Sequence, residues 1–407
     1  MQTQLADFIR DTPEGREADA ILRKCVHCGF CTATCPTYQV LGDDLDSPRG
    51  RIYLMKRVLE GAEVTGRTRL HLDRCLTCRA CETTCPSGVR YGRLLDIGRE
   101  VVERRTTRGP WDWLKRSVLS YGLPRPRVFG FFLKIGQALR PLAPGGLQRK
   151  IPAKANQNTE WPAPRHARKM LVLAGCVQPA LAPSINAAAA RVLDRAGISL
   201  IEAPAAGCCG AVRFHLNRHE AGRDDMRALI DAWWPYVEGQ GVEAIVITAS
   251  GCGATVKDYA HLLAQDPAYR DKAARISALA RDLAEVVPAD FPQIRSHSRV
   301  AFQSPCTLQH GQQIRGRVEA LLARAGFQLT PVRDAHLCCG SAGAYSILLP
   351  AIAGELRGRK LAALQEGKPE GIATANIGCL AHLQQESAVP VRHWIELVDE
   401  ALARRVT

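Results

Sequence analysis

The sequence predicts a mixed fold: an N-terminal α-helical domain, then two α/β modules related by a pseudo-twofold axis. Two copies of the pattern C-x-x-C-x-x-C-x-x-x-C-P lie within residues 25–86, among segments of helical character. From Lys169 onward, short apolar strands alternate with helices, which is typical of parallel sheets. The order of strands, helices and cysteines in this part occurs twice, which indicates an internal duplication.

The two N-terminal cysteine runs are typical of sites for 4Fe-4S clusters. In such runs, known from bacterial ferredoxins, three thiolates hold one cluster and the fourth ligates the other. We therefore expect two clusters with crossed ligation. A pair of zinc knuckles is the alternative, but zinc sites usually gather their ligands as separated pairs. The expected ligands are Cys25, Cys28, Cys31 and Cys85 for one cluster, and Cys75, Cys78, Cys81 and Cys35 for its neighbour.

The helices around these runs follow from local signals. Pro13–Lys24 reads as a helix that leads into the first run, and Ser47-Pro48 opens a second helix between the runs. Arg49 and Arg51 either stabilise the anionic clusters or face solvent, and the sequence leaves both open. His27 is expected to shield a cluster or to be exposed, since cysteines already fill the coordination sites.

The segment that follows is strongly basic and aromatic. The formal net charge is +14, and between Arg104 and Lys169 fifteen Lys and Arg stand against two acidic residues. Trp111, Trp113 and the Phe131-Phe132 pair lie in amphipathic stretches. Such stretches suit an anionic membrane surface, a groove on a partner subunit, or docking onto the chain's own domains. We expect no nucleic-acid partner, because no binding motif accompanies the charge.

The cysteine count indicates metal binding if the chain is cytoplasmic. The stretch Met1–Asp7 lacks a basic segment followed by an apolar one, so we expect no export signal. Sixteen cysteines in a reducing compartment indicate metal ligands rather than disulfides. The uncharged span Met170–Ala190 contains Gln, Asn and two Pro, so we expect no transmembrane helix.

The duplicated part places its cysteines after predicted strands, where open α/β sheets present their sites. In both copies the first two cysteine positions are 32 residues apart. Four converging thiolates in each module could bind one 4Fe-4S cluster or one zinc ion, or could remain free for redox exchange. His310 and His382 are further ligand candidates by spacing, although surface or capping roles are more common for histidine. The cysteines are Cys176, Cys208, Cys209 and Cys252 in the first module, and Cys306, Cys338, Cys339 and Cys379 in the second.

The predicted domain order is a helical ferredoxin-type domain, a basic aromatic linker and two Cys-Cys-Gly modules. The stretch Ala153–Arg168 is polar and Pro-containing, which is typical of a linker. The expected boundaries are 1–105, 106–168, 169–297 and 298–407.

The Cys…Cys-Cys-Gly…Cys repeat resembles the cysteine-rich domain found in subunits of heterodisulfide reductase and of glycerol-3-phosphate dehydrogenase. That family usually ends the motif with C-x-x-C. Neither module completes this pair, because the positions three residues from Cys252 and Cys379 are Ala249, Thr255, Asn376 and His382. One ordinary cluster, a metal ion and an empty site are therefore alternatives to a double-cluster site.

The whole arrangement resembles the family of glycolate oxidase iron-sulfur subunits. The resemblance rests on the module order and on the phrases at 25–38, 46–53, 249–254 and 392–398. It implies partner subunits that carry FAD and oxidise a 2-hydroxy acid, while this chain passes electrons toward quinone from the cytoplasmic side of the inner membrane, as a peripheral protein. Without a G-x-G-x-x-G or P-loop motif, we expect FAD only on the partners and no catalytic residue in this chain. The alternatives are a heterodisulfide-reductase-like thiol/disulfide subunit, or an iron-sulfur subunit of a related lactate or glycerol-3-phosphate dehydrogenase.

Overall fold

The computed structural model describes residues 1–148, 151–152, 158–291 and 298–404, which form two compact units. The first unit comprises Met1–Arg116 and His336–Lys360, and the second comprises Ser117–Ala335 and Leu361–Thr407. The first unit thus includes a segment of the last predicted module together with the N-terminal helices, and the domain boundaries themselves stay a prediction. The predicted boundary at residue 297 lies outside the described residues.

The N-terminal part of the first unit is helical. Thr12 begins the second helix by accepting a hydrogen bond from the Gly15 amide at 3.0 Å, and Ser47 does the same for Gly50 before the fifth helix, also at 3.0 Å. Both helices carry Pro at their first position, as the sequence predicts. The helices are α1 Asp7–Arg10, α2 Pro13–Lys24, α3 Phe30–Ala33, α4 Pro36–Leu41, α5 Pro48–Leu59, α6 Gly66–Asp73, α7 Ala80–Thr84 and α8 Tyr91–Arg105.

The basic segment forms two amphipathic helices. Part of its charge is neutralised internally, because the nearly buried Arg108 and Arg116 lie 2.8 and 3.1 Å from Asp73. Within the described residues, no helix is both long and apolar enough to cross a membrane. The helices are α9 Pro110–Gly122, α10 Pro126–Leu139 and the short α11 Gly145–Gln148.

Two four-stranded parallel sheets lie in the second unit. Their strand orders are β2-β1-β3-β4 and β6-β5-β7-β8, so the same topology occurs twice. The strands are β1 Arg168–Val172, β2 Ile198–Glu202, β3 Ile245–Ile247, β4 Ala280–Asp282, β5 Arg299–Gln303, β6 Gln328–Thr330, β7 Gly371–Thr374 and β8 Val391–His393.

The remaining helices alternate with these strands along the chain. A salt bridge and a hydrogen bond connect a helix of the first module, Ser184–Arg195, to the last helix of the second, Trp394–Ala403. Arg191 pairs with Asp399 at 2.7 Å, and the Ser184 hydroxyl donates to Glu396 at 2.7 Å. The helices are α12 Gln178–Leu181, α13 Ser184–Arg195, α14 Ala211–His215, α15 His219–Gly239, α16 Ser250–Lys257, α17 Tyr259–Leu262, α18 Arg270–Leu279, α19 Leu283–Val286, α20 Arg317–Arg324, α21 Tyr345–Leu348, α22 Pro350–Gln365, α23 Ile377–Gln384 and α24 Trp394–Ala403. A helical N-terminal part followed by two parallel-sheet modules confirms the predicted fold class.

Two local features lie at the edges of the modules. Helix α20 begins only at Arg317, because Gln313 and Gly316 have positive φ angles of 58° and 71° and a π-helix precedes them at Thr307–Gly311. The end of the expected linker is bound to the first module, since the Trp161 indole donates to the Leu200 carbonyl at 3.1 Å. Residues 153–157 of that linker lie outside the described residues.

His393 joins the modules and should make stability depend on pH. Its ring is buried and bonds the Thr248 carbonyl through Nε2 at 2.9 Å. Burial lowers the His393 pKa from 6.5 to about 4, against the opposing effect of that carbonyl. Below pH 6.5, His393 therefore binds a proton more readily in the unfolded chain than in the folded one. The contribution of the neutral ring to stability is fully present above pH 6.5 and is lost as the pH falls toward 4.

Between pH 7.5 and 5 we expect this group to contribute a loss of about 2 kcal/mol in the free energy of unfolding. Urea unfolding at both pH values measures this loss in the wild type and in His393→Asn. The variant retains a side chain able to cap α24 but does not titrate. Equal pH dependence in the variant and the wild type would contradict this account.

Candidate metal centres

The two N-terminal cysteine runs adopt the same backbone path. The third residue of each run has a positive φ, 56° at His27 and 55° at Thr77, and so does the fifth, 86° at Gly29 and 58° at Arg79. Three of these residues carry side chains, for which this conformation is uncommon and strained. Each run turns in this way around its own thiols before a short helix, α3 or α7, begins.

One group of thiols combines three cysteines of the first run with the last cysteine of the second. We call Cys25, Cys28, Cys31 and Cys85 the first thiol set. Burial, and then the charges on Cys25, Cys85 and Cys28, raise the pKa of Cys31 to about 11. The pKa of Cys25 is also raised, by burial and then by Cys85 and Cys28, although the amide of His27 lowers it. These mutual effects require the four thiols to be close neighbours.

A second group combines three cysteines of the second run with the last cysteine of the first. We call Cys35, Cys75, Cys78 and Cys81 the second thiol set. Burial raises the pKa of Cys81 well above its ordinary value, and Cys78, Cys75 and Cys35 add to this effect. The Thr77 amide donates to Cys75 Sγ at 3.4 Å, the same contact that the His27 amide makes with Cys25. The structure thus groups the thiols across the two runs.

Each thiol set borders its own cavity, and the two cavities are adjacent. The first contains about 430 Å³ of space not filled by protein atoms, and the second about 300 Å³. Cys81, Pro48 and Tyr91 line both cavities. Four thiols around an apolar hollow of this kind fit an iron-sulfur cluster, and a bound metal would deprotonate thiols whose pKa burial has raised.

Arg51 distinguishes the second set. It is 1% exposed, donates to the His71 carbonyl at 2.7 Å and lies 4.0 Å from Cys35 Sγ. Although burial opposes its charge, the neighbouring Cys75, Tyr91, Cys35 and Asp46 raise the pKa of Arg51. The sequence left two roles open for this residue, and the structure places its charge beside the thiols. Two hydroxyls also approach the sulfurs, Thr37 at 3.3 Å from Cys35 and Tyr91 at 3.6 Å from Cys75.

The first set lies nearer the surface. Cys28 is exposed, and the apolar side chains that flank it, Val26 and Phe30, are 68% and 61% exposed. Arg49 is partly exposed and pairs with Asp44 at 3.1 Å. One side of this site is therefore open to a partner molecule.

The four cysteines of the first Cys-Cys-Gly module also come together. Cys176 follows β1, Cys208 and Cys209 follow β2, and Cys252 lies in α16 after β3. The Cys176 and Cys209 thiols donate to Cys208 and lower its pKa well below the ordinary value. Hydrogen bonds with Cys208 and Cys252, together with burial, raise the pKa of Cys209. Such a set fits a tetrathiolate site for zinc or for a cluster.

An acidic residue that the sequence analysis did not single out lies near this set. Burial, and then the charge on Cys208, raise the pKa of Asp225 to about 7, against the effect of Arg213 at 2.6 Å. The Tyr259 hydroxyl donates to the Cys209 carbonyl at 2.9 Å. Asp225 lies 16 residues after Cys209 on α15, so local spacing gave no signal for it.

The cysteines of the second module are distributed over both compact units. Cys306 follows β5 and Cys379 lies in α23 after β7, both in the second unit, while Cys338 and Cys339 belong to the first unit. Cys338, Cys339 and Cys379 are buried, and the Gly340 amide donates to Cys338 Sγ at 3.4 Å. A joint site of these four thiols remains a prediction from the duplicated sequence.

The histidines considered as ligands have different surroundings. His310 and His382 are both buried, His310 in the π-helix and His382 in α23. Both make contacts within the protein, and ligation by either stays a prediction. His27 is partly buried beside the first thiol set, and burial lowers its pKa.

Gly210 sets the turn after the paired cysteines. Its φ is 84°, and a Cβ there would lie 2.6 Å from the Gly222 carbonyl oxygen. We expect Gly210→Ala to cost roughly 1–3 kcal/mol in the free energy of unfolding and to weaken metal retention at this site. Gly207→Ala is the matched control, because a Cβ there would meet nothing within 4 Å. Urea unfolding and metal analysis check the pair, and equal effects of the two changes would contradict the assigned role.

Comparisons with known proteins agree with this arrangement. Residues 21–89 match a 4Fe-4S dicluster domain, and residues 170–257 and 300–384 each match a cysteine-rich domain. The fold is also similar to a crystal structure of a hypothetical protein from Helicobacter pylori, with a TM-score of 0.54 and 11% identity over 96% of this chain and 72% of that one.

Three curated proteins show the range of sequence similarity. The chain is 55% identical to the glycolate oxidase iron-sulfur subunit of Escherichia coli, over 99% of this chain and 100% of that protein. It is 29% identical to a probable glycolate oxidase iron-sulfur subunit of Bacillus subtilis, over 89% and 88% of the two chains. Lactate utilization protein A of Geobacillus kaustophilus is 25% identical over 53% of this chain and 90% of its own length. With its dicluster domain, its two cysteine-rich domains and this full-length identity, the chain belongs to the family of glycolate oxidase iron-sulfur subunits.

Proposed function

We propose that this chain is the electron-transfer subunit of a glycolate-oxidising complex and passes electrons from the FAD of a partner subunit toward the quinone pool. The observation that carries the proposal is the pair of thiol sets around two adjacent cavities in the first unit. Substrate oxidation itself belongs to the flavin partner, and no residue of this chain is assigned a catalytic role.

The first thiol set would hold one 4Fe-4S cluster and the second set would hold its neighbour. When bound, such clusters accept and release single electrons, which lets a two-electron flavin oxidation supply a one-electron chain. The protein contributes the thiolates, an apolar lining, and the donors Arg51, Thr37 and Tyr91 at the second set. Donors to ligand sulfurs stabilise the more negative, reduced state of a cluster.

The exposed side of the first set supports its role as the docking site of the electron donor. Cys28 reaches the surface between Val26 and Phe30, whose exposed apolar side chains would be covered by a partner. Electron-transfer complexes often use small contact surfaces, which a few exposed apolar side chains around a thiol can supply.

Tyr345 supports an exit from the second set toward the Cys-Cys-Gly part of the chain. Its hydroxyl donates to the carbonyl of Arg74, the residue before Cys75, at 3.0 Å. Burial raises the Tyr345 pKa, and the charges on Cys75 and Cys338 raise it further. This buried ring therefore lies within electrostatic reach of one thiol from each kind of cysteine motif.

The Cys-Cys-Gly modules would hold a further cluster or a zinc ion. In the first module the four thiols are linked by hydrogen bonds, which supports a metal site. A cation bound there would take the place of the protons in these hydrogen bonds. The second module is expected to repeat this site at Cys306, Cys338, Cys339 and Cys379.

The basic segment would bring the chain to the cytoplasmic face of the inner membrane as a peripheral protein. Several large apolar side chains of α9 and α10 face solvent; Trp111 is 74% exposed and Phe132 64%. These exposures favour an external contact over docking of these aromatics onto the chain's own domains, which is one of the alternatives from sequence. Exposed apolar stripes flanked by Lys and Arg suit an anionic bilayer surface.

A thiol/disulfide redox role is the second candidate, and one observation favours it. Hydrogen bonds from Cys176 and Cys209 lower the pKa of Cys208, and a thiolate is the reactive form of cysteine. Disulfide reduction by the isolated chain, abolished by Cys208→Ser, would establish this role.

The proposed function is tested on the purified complex with a Cys28→Ser, Cys78→Ser double variant. We expect glycolate-dependent quinone reduction to be lost while reduction of an artificial dye at the flavin persists. Thr34→Ser, which keeps a hydroxyl beside Cys35, is the control and should leave both activities unchanged. Normal quinone reduction by the double variant would refute the relay.

A further inference from the structure

The first helices after β3 and β7 carry equivalent cysteines. Cys252 is the third residue of α16 and Cys379 is the third residue of α23, and both helices lie in the second unit. The segments leading into them are in direct contact, because the Ser250 amide donates to the Ala375 carbonyl at 3.1 Å.

Asn376 caps a helix of the other module rather than its own. It stands at the N-cap position of α23, where an Asn side chain ordinarily accepts a hydrogen bond from that helix, yet it makes no such bond. Its Oδ1 instead accepts from the Gly251 amide at 3.3 Å, at the second position of α16. The N-cap residue of α16 is Ala249, which has no side-chain acceptor, so Asn376 satisfies an amide that Ala249 cannot.

The other end of the same amide faces a thiol. Asn376 Nδ2 lies 3.5 Å from Cys379 Sγ. The orientation of the amide is fixed, because the Gly251 N–H can only donate and therefore requires the oxygen. One side chain thus holds the peptide beside Cys252 and donates to the sulfur of Cys379.

We propose that Asn376 is a positioning residue shared by the two Cys-Cys-Gly sites, and that it couples their metal retention and redox properties. This proposal rests on the proposed function, in which metal centres occupy the two Cys-Cys-Gly sites. Loss of the donor at Cys379 destabilises the reduced state of the second centre, and loss of the acceptor at Gly251 loosens the start of α16 and hence Cys252.

Two substitutions separate the two halves of this role. Asn376→Asp keeps an oxygen for Gly251 and removes the donor to Cys379, whereas Asn376→Ala removes both. Ser184→Ala is the control, because it breaks the 2.7 Å bond to Glu396 between the same modules without touching either site. EPR-monitored redox titration and the rate of metal loss to a chelator are measured on the full complex.

We expect Asn376→Asp to lower the equilibrium constant for one-electron reduction of the second centre about tenfold, which is about 59 mV. Asn376→Ala should in addition accelerate metal loss from the first site several-fold, and Ser184→Ala should do neither. An unchanged potential in Asn376→Asp, unchanged metal loss in Asn376→Ala, or equal effects in Ser184→Ala would overturn the proposal.

Metal analysis of the wild-type complex separates this proposal from the one on which it rests. If the Cys-Cys-Gly sites hold no metal, occupancy of these sites is refuted by that count. The Asn376 contact is then read from the metal-free chain by mass-spectrometric alkylation of Cys252, which Asn376→Ala should accelerate several-fold. An unchanged alkylation rate would refute the positioning role.

Discussion

Replacing Arg51 with methionine is expected to destabilise the first unit by about 3–5 kcal/mol and to release the metal of the second thiol set. Arg51 is buried with Asp46, which also bonds Arg74 at 2.8 Å, and the guanidinium bonds the Thr37 hydroxyl at 3.1 Å. Removal of the cation leaves the Asp46 carboxylate and the nearby thiolates buried with less compensation. Urea unfolding and iron analysis measure the two effects.

Arg49→Met is the matched control for this change, since Arg49 lies two residues earlier on α5. Its pair with Asp44 is about half exposed, and such surface pairs contribute about 1 kcal/mol or less. If the Arg51 and Arg49 variants had similar stability and iron content, the role assigned to the buried guanidinium would be wrong.

Cys35→Ser should abolish the cluster held by the second run, although Cys35 belongs to the first. The structure groups Cys35 with Cys75, Cys78 and Cys81, since their charges act on the same buried thiol. We expect loss of about four iron atoms per chain, and an EPR spectrum of the remaining cluster that matches that of Cys78→Ser.

Cys85→Ser provides the reciprocal experiment. It should lose a similar amount of iron, and its spectrum should match that of Cys28→Ser, because Cys85 lies with the first thiol set. Crossed ligation would be refuted if Cys35→Ser matched Cys28→Ser instead.

Much of the fold could be predicted because it follows from local signals. The Pro-led helix α2 has the bounds that the sequence predicts, and strands alternate with helices from Arg168 onward, as expected. The duplication was visible in the repeated order of strands, helices and cysteines. It reappears as two sheets with the same strand order.

Other features depend on tertiary contacts that no local pattern encodes. The short strands β4 and β8 have no apolar run of their own and exist because β3 and β7 supply partners. His336–Lys360 packs with the first unit despite its position in the last predicted module. Arg49 and Arg51 were equivalent by sequence, and only the packing of helix α5 decides which of them is buried.

The eight N-terminal cysteines were singled out by spacing, because cluster ligation imposes a fixed pattern on a short stretch. The structure places them around two cavities, and their ligation of clusters stays a prediction. Asp225 and Tyr345 were not found, since each approaches a thiol from a different element of the fold. Asn376 was noted only as a position without cysteine, and its two bonds depend on the meeting of two modules.

The central claim is that this chain receives electrons from glycolate oxidation through its 4Fe-4S clusters. Rapid-freeze EPR of the anaerobically purified complex, mixed with glycolate in the absence of quinone, tests it most directly. The account predicts that signals of reduced 4Fe-4S clusters develop as the flavin is reoxidised, and that they are missing in the Cys28→Ser, Cys78→Ser variant. Clusters that remain oxidised while glycolate reduces the flavin would contradict it.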